Sequence, residues 1–260
     1  MEYIDLHAHV FPAKIAAKAV TFLEEYYENR WSGDGSVENL LDASESANIS
    51  KTLIFSCATK PEQVTAANDY LYAVSQKYPD KFFAFGTIHP DFKDIAGELS
   101  RIRSLGMKGI KIHPDFQKIY IDEPRMMKIY ESAGDLPVTI HMGDNRTDFS
   151  SPYRLARVLD RFPSLKVIAA HFGGYSEWDQ VWKHLVGRDL WFDTSSTLWC
   201  YPPEEVRKIA LAHGTDKILF GSDFPARLPG EAIEEVLQMG LPEEDNEKIF
   251  HLNARKLFDL

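Results

Sequence analysis

The sequence is poor in cysteine and contains no low-complexity tract and no long apolar run. Cys57 and Cys200 are its only two cysteines in 260 residues. Two thiols cannot form the disulfide scaffold of a chain this long, so we expect free thiols in a reducing compartment and predict a cytoplasmic protein. No basic segment with an apolar segment behind it precedes the first predicted strand, and no apolar run approaches bilayer length. The sequence therefore predicts neither a signal peptide nor a membrane span.

Positive charge is also scarce, since 29 lysines and arginines face 39 aspartates and glutamates, for a net charge of −10. Nucleic acids and acidic membrane surfaces need a basic contact surface, so neither is an expected partner. The expected partners are a small-molecule substrate and, at most, further copies of the chain in a homo-oligomer. With 44% apolar residues, we expect residues 1–260 to fold as one domain.

Short apolar runs alternate with amphipathic helical patterns along the whole chain. This alternation predicts parallel strands joined by right-handed crossovers. Eight such units in about 250 residues are typical of a (β/α)8 TIM barrel in the α/β class. An open doubly wound sheet is the alternative, but no G-x-G-x-x-G follows the first strand. The eight predicted strands are YIDLH, TLIFS, FFAFGTI, GIKIH, PVTIH, KVIAAH, LWFDTS and KILFGSD.

The first strand-to-helix connection, residues 10–51, is much longer than the others and contains two helical patterns. We predict that it forms a cap over one mouth of the barrel. Aromatic residues in or near the loops at this face are candidates for an apolar pocket. They are Tyr120, Phe149, Trp178, Trp199 and Tyr201.

Polar side chains stand at the ends of the predicted strands, where a barrel assembles its active site. Strand alternation predicts that His7 and His9 share one face with Tyr3 and Asp5. Several imidazoles and a carboxylate at one barrel mouth are the ligands expected for a divalent metal ion with one open position. The residues concerned are His7, His9, Lys111, His113, His141, His171 and Asp223. A helix N-cap is the alternative for Asp223.

These residues resemble the metal-dependent hydrolases of the amidohydrolase superfamily. Within it, the stretches GIKIHPDFQ, AAHFGG and FGSDFP resemble the amidohydrolase-related branch that includes aminocarboxymuconate-semialdehyde decarboxylase. The resemblance implies one metal ion, with zinc expected first and manganese or iron as alternatives. It implies that His171 stands close to the ion without necessarily binding it. We expect acid–base or electrostatic work from His171, with a metal ligand or a donor that supports a ligand as the alternatives. The ligands that the resemblance implies are His7, His9, His141 and Asp223.

Lys111 has several interpretations. Binuclear members of the superfamily carry a carboxylated lysine or a glutamate at the end of strand four, and Lys111 lies on that strand two positions before its end. Because one metal is usual in the branch, we expect one ion here. Lys111 is then either a substrate-binding residue or a buried lysine paired with Asp193 or Asp5.

Two loop arginines are candidates for binding a substrate carboxylate. Arg146 follows strand five and Arg227 follows strand eight, so both belong to the face that carries the predicted metal site. The alternative for each is a solvated loop arginine. For His113 and His89, each followed by a proline, we expect turn formation or support of the ligands rather than ligation.

The sequence predicts an enzyme, with two outcomes at the same metal site. The main prediction is hydrolysis of a small carboxylate-bearing or cyclic ester or amide by metal-activated water, with Asp223 transferring the proton and His171 stabilising the oxyanion. The alternative is a non-oxidative decarboxylase of an aromatic or unsaturated acid. A third hypothesis, a barrel without catalysis, conflicts with the complete set of predicted ligands.

Overall fold

A computed structural model describes residues 1–260 and contains a single barrel of parallel strands surrounded by helices. All eight predicted strands are present, and the third is interrupted at Phe85 into two segments. The first three segments form one parallel sheet, and the other six form a second sheet in chain order. The segments are β1 Tyr3–His9, β2 Ile49–Phe55, β3 Phe82–Ala84, β4 Gly86–Thr87, β5 Ile110–Ile112, β6 Val138–Ile140, β7 Val167–Ala169, β8 Trp191–Asp193 and β9 Ile218–Leu219.

Backbone hydrogen bonds at two seams join the two sheets into a closed barrel. At the first seam Phe85 donates to the Ile54 carbonyl (3.1 Å), and the next amide, Gly86, donates to a residue before β5. At the second seam the Leu6 amide donates to the Phe220 carbonyl (2.8 Å), and the Asp223 amide donates to the His7 carbonyl (2.8 Å). The chain after β9 therefore completes the last barrel strand.

Twelve helices lie in the connections and after the last strand. Most bury one apolar stripe against the strands, as amphipathic helices on a parallel sheet do. No helix combines the length and the apolar character that crossing a bilayer requires. The helices are α1 Ala16–Tyr27, α2 Val37–Ser46, α3 Val64–Lys77, α4 Ile95–Ser104, α5 Pro114–Gln117, α6 Pro124–Ala133, α7 Pro152–Arg161, α8 Trp178–His184, α9 Pro203–His213, α10 Pro229–Leu237, α11 Glu243–Glu247 and α12 Asn253–Phe258.

Strand β1 does not alternate regularly, contrary to the sequence prediction. Its pairing with β2 shifts between Asp5 and Ala8. Before the shift, Ile4 and Leu6 belong to a cluster of 11 buried residues drawn from strands on several sides of the barrel, and after it Ala8 belongs to the larger cluster of 55. The shift changes which face each position occupies, so His7 and His9 no longer share a face with Tyr3.

The long first connection forms the predicted cap. It contains α1 and α2, and α1 extends over the carboxyl end of the barrel. Only Ala16 among the twelve residues of α1 is buried, whereas Leu23 and Tyr27 line a cavity together with histidines of the barrel. Helix α1 therefore closes a cavity rather than filling a core.

Candidate metal centre

Three of the four predicted ligands converge at the carboxyl end of the barrel. His7 Nε2 lies 3.3 Å from His9 Nε2 and 3.2 Å from Asp223 Oδ1, and His9 Nε2 lies 3.7 Å from the same oxygen. Donors bonded to one ion at about 2.0–2.1 Å in a tetrahedral arrangement are separated by about 3.3 Å. The three donor atoms thus have the spacing of ligands around a single ion, and these residues fit a metal.

A buried aspartate fixes the orientation of the His7 ring. His7 Nδ1 donates to Asp193 Oδ2 at 2.8 Å, which leaves the lone pair of Nε2 directed at His9 and Asp223. The other Asp193 oxygen accepts the backbone amides of His171 (3.0 Å) and Ser195 (3.1 Å). Burial acts to raise the pKa of Asp193, but interaction with His7 outweighs it and the pKa is lowered. The sequence analysis considered Asp193 only as a partner of Lys111.

Asp223 and His171 both have a left-handed backbone conformation, which is energetically unfavourable for residues other than glycine. Asp223 has φ +64° and His171 has φ +58°, and neither is a glycine. The turn at Asp223 is fixed by Asp5, whose carboxylate accepts the Ser222 amide (2.9 Å) and hydroxyl (2.6 Å). Asp223 is not a helix cap, because α10 begins only at Pro229.

His141, the fourth predicted ligand, lies outside the group of His7, His9 and Asp223 and is hydrogen-bonded to His171. His171 Nδ1 lies 3.0 Å from the Ser195 carbonyl, which only accepts, so Nδ1 carries the proton and Nε2 a lone pair. His141 Nδ1 therefore donates to His171 Nε2 at 2.9 Å. The remaining nitrogen, His141 Nε2, is buried and has no hydrogen-bond partner. Its unused lone pair is suited to a metal or to another ligand in the cavity.

Three imidazoles of the site, those of His9, His141 and His171, are neutral at physiological pH. Burial lowers the pKa of His9 and His141 well below the ordinary value, and it lowers the pKa of His171 to about 4. For His7, burial and Lys111 act to lower the pKa, but Asp193 and Asp223 outweigh them and raise it. Neutral nitrogen lone pairs are the form of histidine that binds metals.

A second histidine and aspartate group lies beside the first and consists of His113, Asp115 and His141. The His113 and His141 rings are stacked, with centroids 3.8 Å apart and planes at 12°. A metal ion lies in the plane of an imidazole that binds it, so two stacked rings cannot both direct a lone pair at one ion. Asp115 already accepts from the hydroxyls of Thr147 and Ser150. The geometry favours one ion over two.

Lys111 is completely buried beside the group of His7, His9 and Asp223, which we call the metal group. Its Nζ lies 3.3 Å from His7 Nε2 and 4.9 Å above the Phe55 ring. No carboxylate lies within ion-pair distance of it, so the alternative of a pair with Asp193 or Asp5 is wrong. Burial lowers the pKa of Lys111. Lys111 does not line the cavity, and a substrate-binding role for it stays a prediction.

Both candidate arginines are paired with protein carboxylates and neither lines the cavity. Arg146 makes hydrogen bonds of 2.8 Å to both oxygens of the buried Asp144 and lies over the Tyr26 ring of the cap. Arg227 donates to Glu235 (3.1 Å) and stacks on Trp199. A substrate carboxylate would have to displace these partners before either arginine could bind it.

A cavity of about 190 Å³ opens directly onto the metal group. His9, Asp223, His141 and His171 form part of its wall, and 11 of its 18 lining residues are hydrophobic. Of the five aromatic residues predicted for a pocket, only Trp199 lines it. Six further aromatic residues of the wall were missed by the sequence analysis, four in the cap and two in the connections after β5 and β7, because their positions depend on how these segments fold at the barrel mouth. These missed aromatic residues are Phe11, Phe22, Tyr27, Trp31, Phe116 and Tyr175.

A family model described as "Amidohydrolase" matches residues 4–260. The chain belongs to the amidohydrolase family. The match covers nearly the whole chain, so the resemblance inferred from the histidine and aspartate motifs is confirmed.

Solved structures confirm the barrel fold. An uncharacterized TIM-barrel protein from Bordetella bronchiseptica aligns with a TM-score of 0.80 at 20% identity, over 100% of this chain and 99% of that one. A 2,6-dihydroxybenzoate decarboxylase from Rhizobium aligns with a TM-score of 0.76 at 20% identity, over 100% and 99%. A dihydroxybenzoic acid decarboxylase from Polaromonas sp. JS666, solved with bound manganese and the inhibitor 2-nitroresorcinol, gives 0.75 at 20%, over 100% and 97%. At these identities the likeness concerns the fold.

Proposed function

We propose that this protein is a metal-dependent decarboxylase of a small aromatic acid, the alternative that the sequence offered beside hydrolysis. One observation supports this most: aromatic rings surround the cavity at the metal group, and neither lysine nor arginine lines it. Such a cavity accepts a planar ring and leaves its carboxylate to the metal group. Two of the solved structures with the same fold are dihydroxybenzoate decarboxylases, which supports the same choice.

His7, His9 and Asp223 would hold the ion, with His141 as the proposed fourth ligand. A divalent ion bound there supplies a positive charge that binds and polarises an oxygen of the substrate. Mixed imidazole and carboxylate donors suit zinc, manganese or iron. The Polaromonas enzyme contains manganese, so manganese is to be tested beside zinc.

The protein's own groups then have to transfer one proton to the substrate. Loss of CO₂ leaves an electron pair on the ring carbon, and a proton must replace the carboxyl group. Asp223 is the only carboxylate that lines the cavity, and its Oδ2 accepts the Ser196 hydroxyl. We assign proton transfer to Asp223, whose ionised carboxylate would accept a proton from an acidic group of the bound substrate and pass it to the ring carbon as CO₂ leaves. Both nitrogens of His171 are engaged, by Ser195 and His141, so His171 orients His141 rather than transferring the proton itself.

The test is to load the protein with zinc or manganese and incubate it with 2,6-dihydroxybenzoate and with lactones and amides. We expect CO₂ release from the aromatic acid and its loss in Asp223→Asn. The control variant Asp91→Asn changes a carboxylate remote from the site and is expected to leave the rate unchanged. Acid release from lactones or amides without CO₂ from the aromatic acid would instead establish the hydrolase.

Hydrolysis remains the second candidate, because the same ligand set can activate water and the family is that of the amidohydrolases. A barrel without catalysis would contain little metal and would not lose stability on chelation. Metal analysis of protein purified without chelators separates that hypothesis from both enzymes. The proposed cytoplasmic location depends on the two cysteines, which are both free, and cell fractionation tests it.

A further inference from the structure

We propose that Tyr27 of the cap donates a hydrogen bond to an oxygen substituent on the substrate ring, and that His113 orients Tyr27 for this. The inference rests on the proposed function and narrows its substrate class to aromatic acids that carry a ring oxygen. Tyr27 and His113 both line the cavity, and the Tyr27 hydroxyl oxygen lies 3.2 Å from His113 Nε2. Tyr27 belongs to α1, so the contact joins the cap to the barrel.

The direction of this hydrogen bond follows from the other nitrogen of the His113 ring. His113 caps the N-terminus of α5, and its Nδ1 accepts the backbone amide of Phe116 at 3.5 Å. A backbone N–H can only donate, so Nδ1 carries a lone pair, and the proton of the neutral ring is on Nε2. His113 Nε2 therefore donates to the Tyr27 oxygen.

Tyr27 is left with a hydroxyl proton that has no acceptor in the protein. His113 is the only hydrogen-bond partner of this hydroxyl, and it uses the oxygen as an acceptor. Asp144, in the connection after β6, accepts from the hydroxyl of the neighbouring Tyr26 (3.1 Å) and from Arg146, and not from Tyr27. The Tyr27 hydroxyl would therefore gain hydrogen-bond energy from a ligand that brings an acceptor into this aromatic cavity.

The position of the pair relative to the metal group explains why a ring oxygen is the expected acceptor. His113 stacks on His141, so Tyr27 lies on the same side of the cavity as the second group. His7, His9 and Asp223 form a different part of the site. An acid whose carboxylate is bound at the metal group would turn another part of its ring toward Tyr27. The cavity therefore has two polar sides that recognise two separate oxygens.

The binding test compares two acids that differ in ring oxygens. Dissociation constants of 2,6-dihydroxybenzoate and benzoate are measured by calorimetry with metal-loaded wild type, Tyr27→Phe and Tyr26→Phe. We expect Tyr27→Phe to weaken binding of the dihydroxy acid by about tenfold and that of benzoate by less than about twofold, as for loss of one hydrogen bond. Tyr26→Phe is the matched control from the same helix and should keep the wild-type ratio. An equal loss for both acids, or no loss, would overturn the proposal.

A second measurement needs no ligand. Long-range ¹H–¹⁵N spectra report which nitrogen of each of the nine histidines carries the proton. The His113→Asn variant identifies the signals of His113. We expect the Nε2–H form of His113. An Nδ1–H form would contradict the proposed role of Tyr27 but not the proposed function. If neither acid binds to the wild type, the proposed function fails, and the substrate class fails with it. The two failures are thus distinguishable.

Discussion

Two groups, each of two histidines and one aspartate, lie side by side at the carboxyl end of the barrel and differ in the arrangement of their donor atoms. In the first group the His7 and His9 rings are tilted by 59°, and both direct Nε2 at one Asp223 oxygen. In the second group the His113 and His141 rings are stacked, and Asp115 Oδ2 is 3.9 Å from a nitrogen of each.

The comparison shows that residue type and proximity do not define a metal site. The aspartates of the two groups differ as well, in the direction in which their pKa values are shifted. Burial acts to raise the pKa of Asp223, but His7 outweighs it and the pKa is lowered, so this carboxylate is ionised. Burial raises the pKa of Asp115 to about 6, because the hydrogen bonds that it accepts from Thr147 and Ser150 do not outweigh the loss of solvent. The first group is ready for a cation, whereas in the second group burial favours the protonated carboxyl of Asp115 and the two stacked rings direct no pair of nitrogens at one ion.

Removal of a ligand is the prediction with the largest effect, and it tests the comparison directly. His7→Asn should lose bound metal and lower kcat/KM by at least about a thousandfold, since the charge that binds the substrate oxygen is lost. Metal content by mass spectrometry and the rate of CO₂ release measure both effects. His113→Asn is the matched variant from the second group and should retain one metal per chain. Loss of the metal in His113→Asn would contradict the assignment of the two groups.

Asp193→Asn is expected to have an intermediate effect. The variant keeps the size of the side chain but removes the charge that orients His7 and holds its Nδ1 proton. Metal affinity should fall by about 10–100-fold, as for loss of a carboxylate behind a ligating histidine. Competition with a fluorescent chelator measures this affinity. Affinity equal to the wild type would show that the barrel backbone alone positions His7.

The sequence predicted the barrel and the residues of the first group because both depend on local signals. The apolar runs such as VTIH and ILFGSD end in a polar residue at the carboxyl end of a strand, and the closed barrel brings these ends together. The same reasoning identified His141 and His171, which lie beside the group. It did not reveal the phase change in β1, because the register shift between Asp5 and Ala8 depends on pairing with β2.

The substrate side of the site could not be predicted from local signals. Tyr27 and Trp31 reach the cavity only because the connection folds back over the barrel, a tertiary contact that leaves no period in the sequence. Arg146 and Arg227 were candidates by position, but nearby carboxylates bind them in the folded chain. Asp193 follows the apolar run of its strand like the predicted ligands do, so it was visible as a polar strand end.

The pH dependence of stability tests the state of the second group. The folded-state pKa of Asp115 is raised to about 6 from 3.8, so the folded protein binds more protons between these values than the unfolded chain. The contribution of Asp115 to stability is therefore lost as pH rises from about 4 to about 6, by up to about 3 kcal/mol. Urea unfolding of metal-free wild type and Asp115→Asn at pH 4, 5, 6 and 7 measures it. The difference between the two proteins should change by this amount in favour of Asp115→Asn as pH rises; a constant difference would contradict a raised pKa.

The two arginines are expected to give the smallest effects, one beside each group. Arg227 stacks on Trp199 near the first group, and Arg146 holds Asp144 and the cap near the second. Because both charges are already paired, Arg227→Ala should change kcat/KM by less than about threefold, which is the scale of a partly exposed ion pair. Arg146→Ala should raise KM somewhat more, since it also loosens the contact with Tyr26. Initial-rate kinetics with 2,6-dihydroxybenzoate measure both. A loss of a hundredfold or more on either change would mean that the arginine leaves its carboxylate to bind the substrate, and that the metal group does not hold the substrate carboxylate alone.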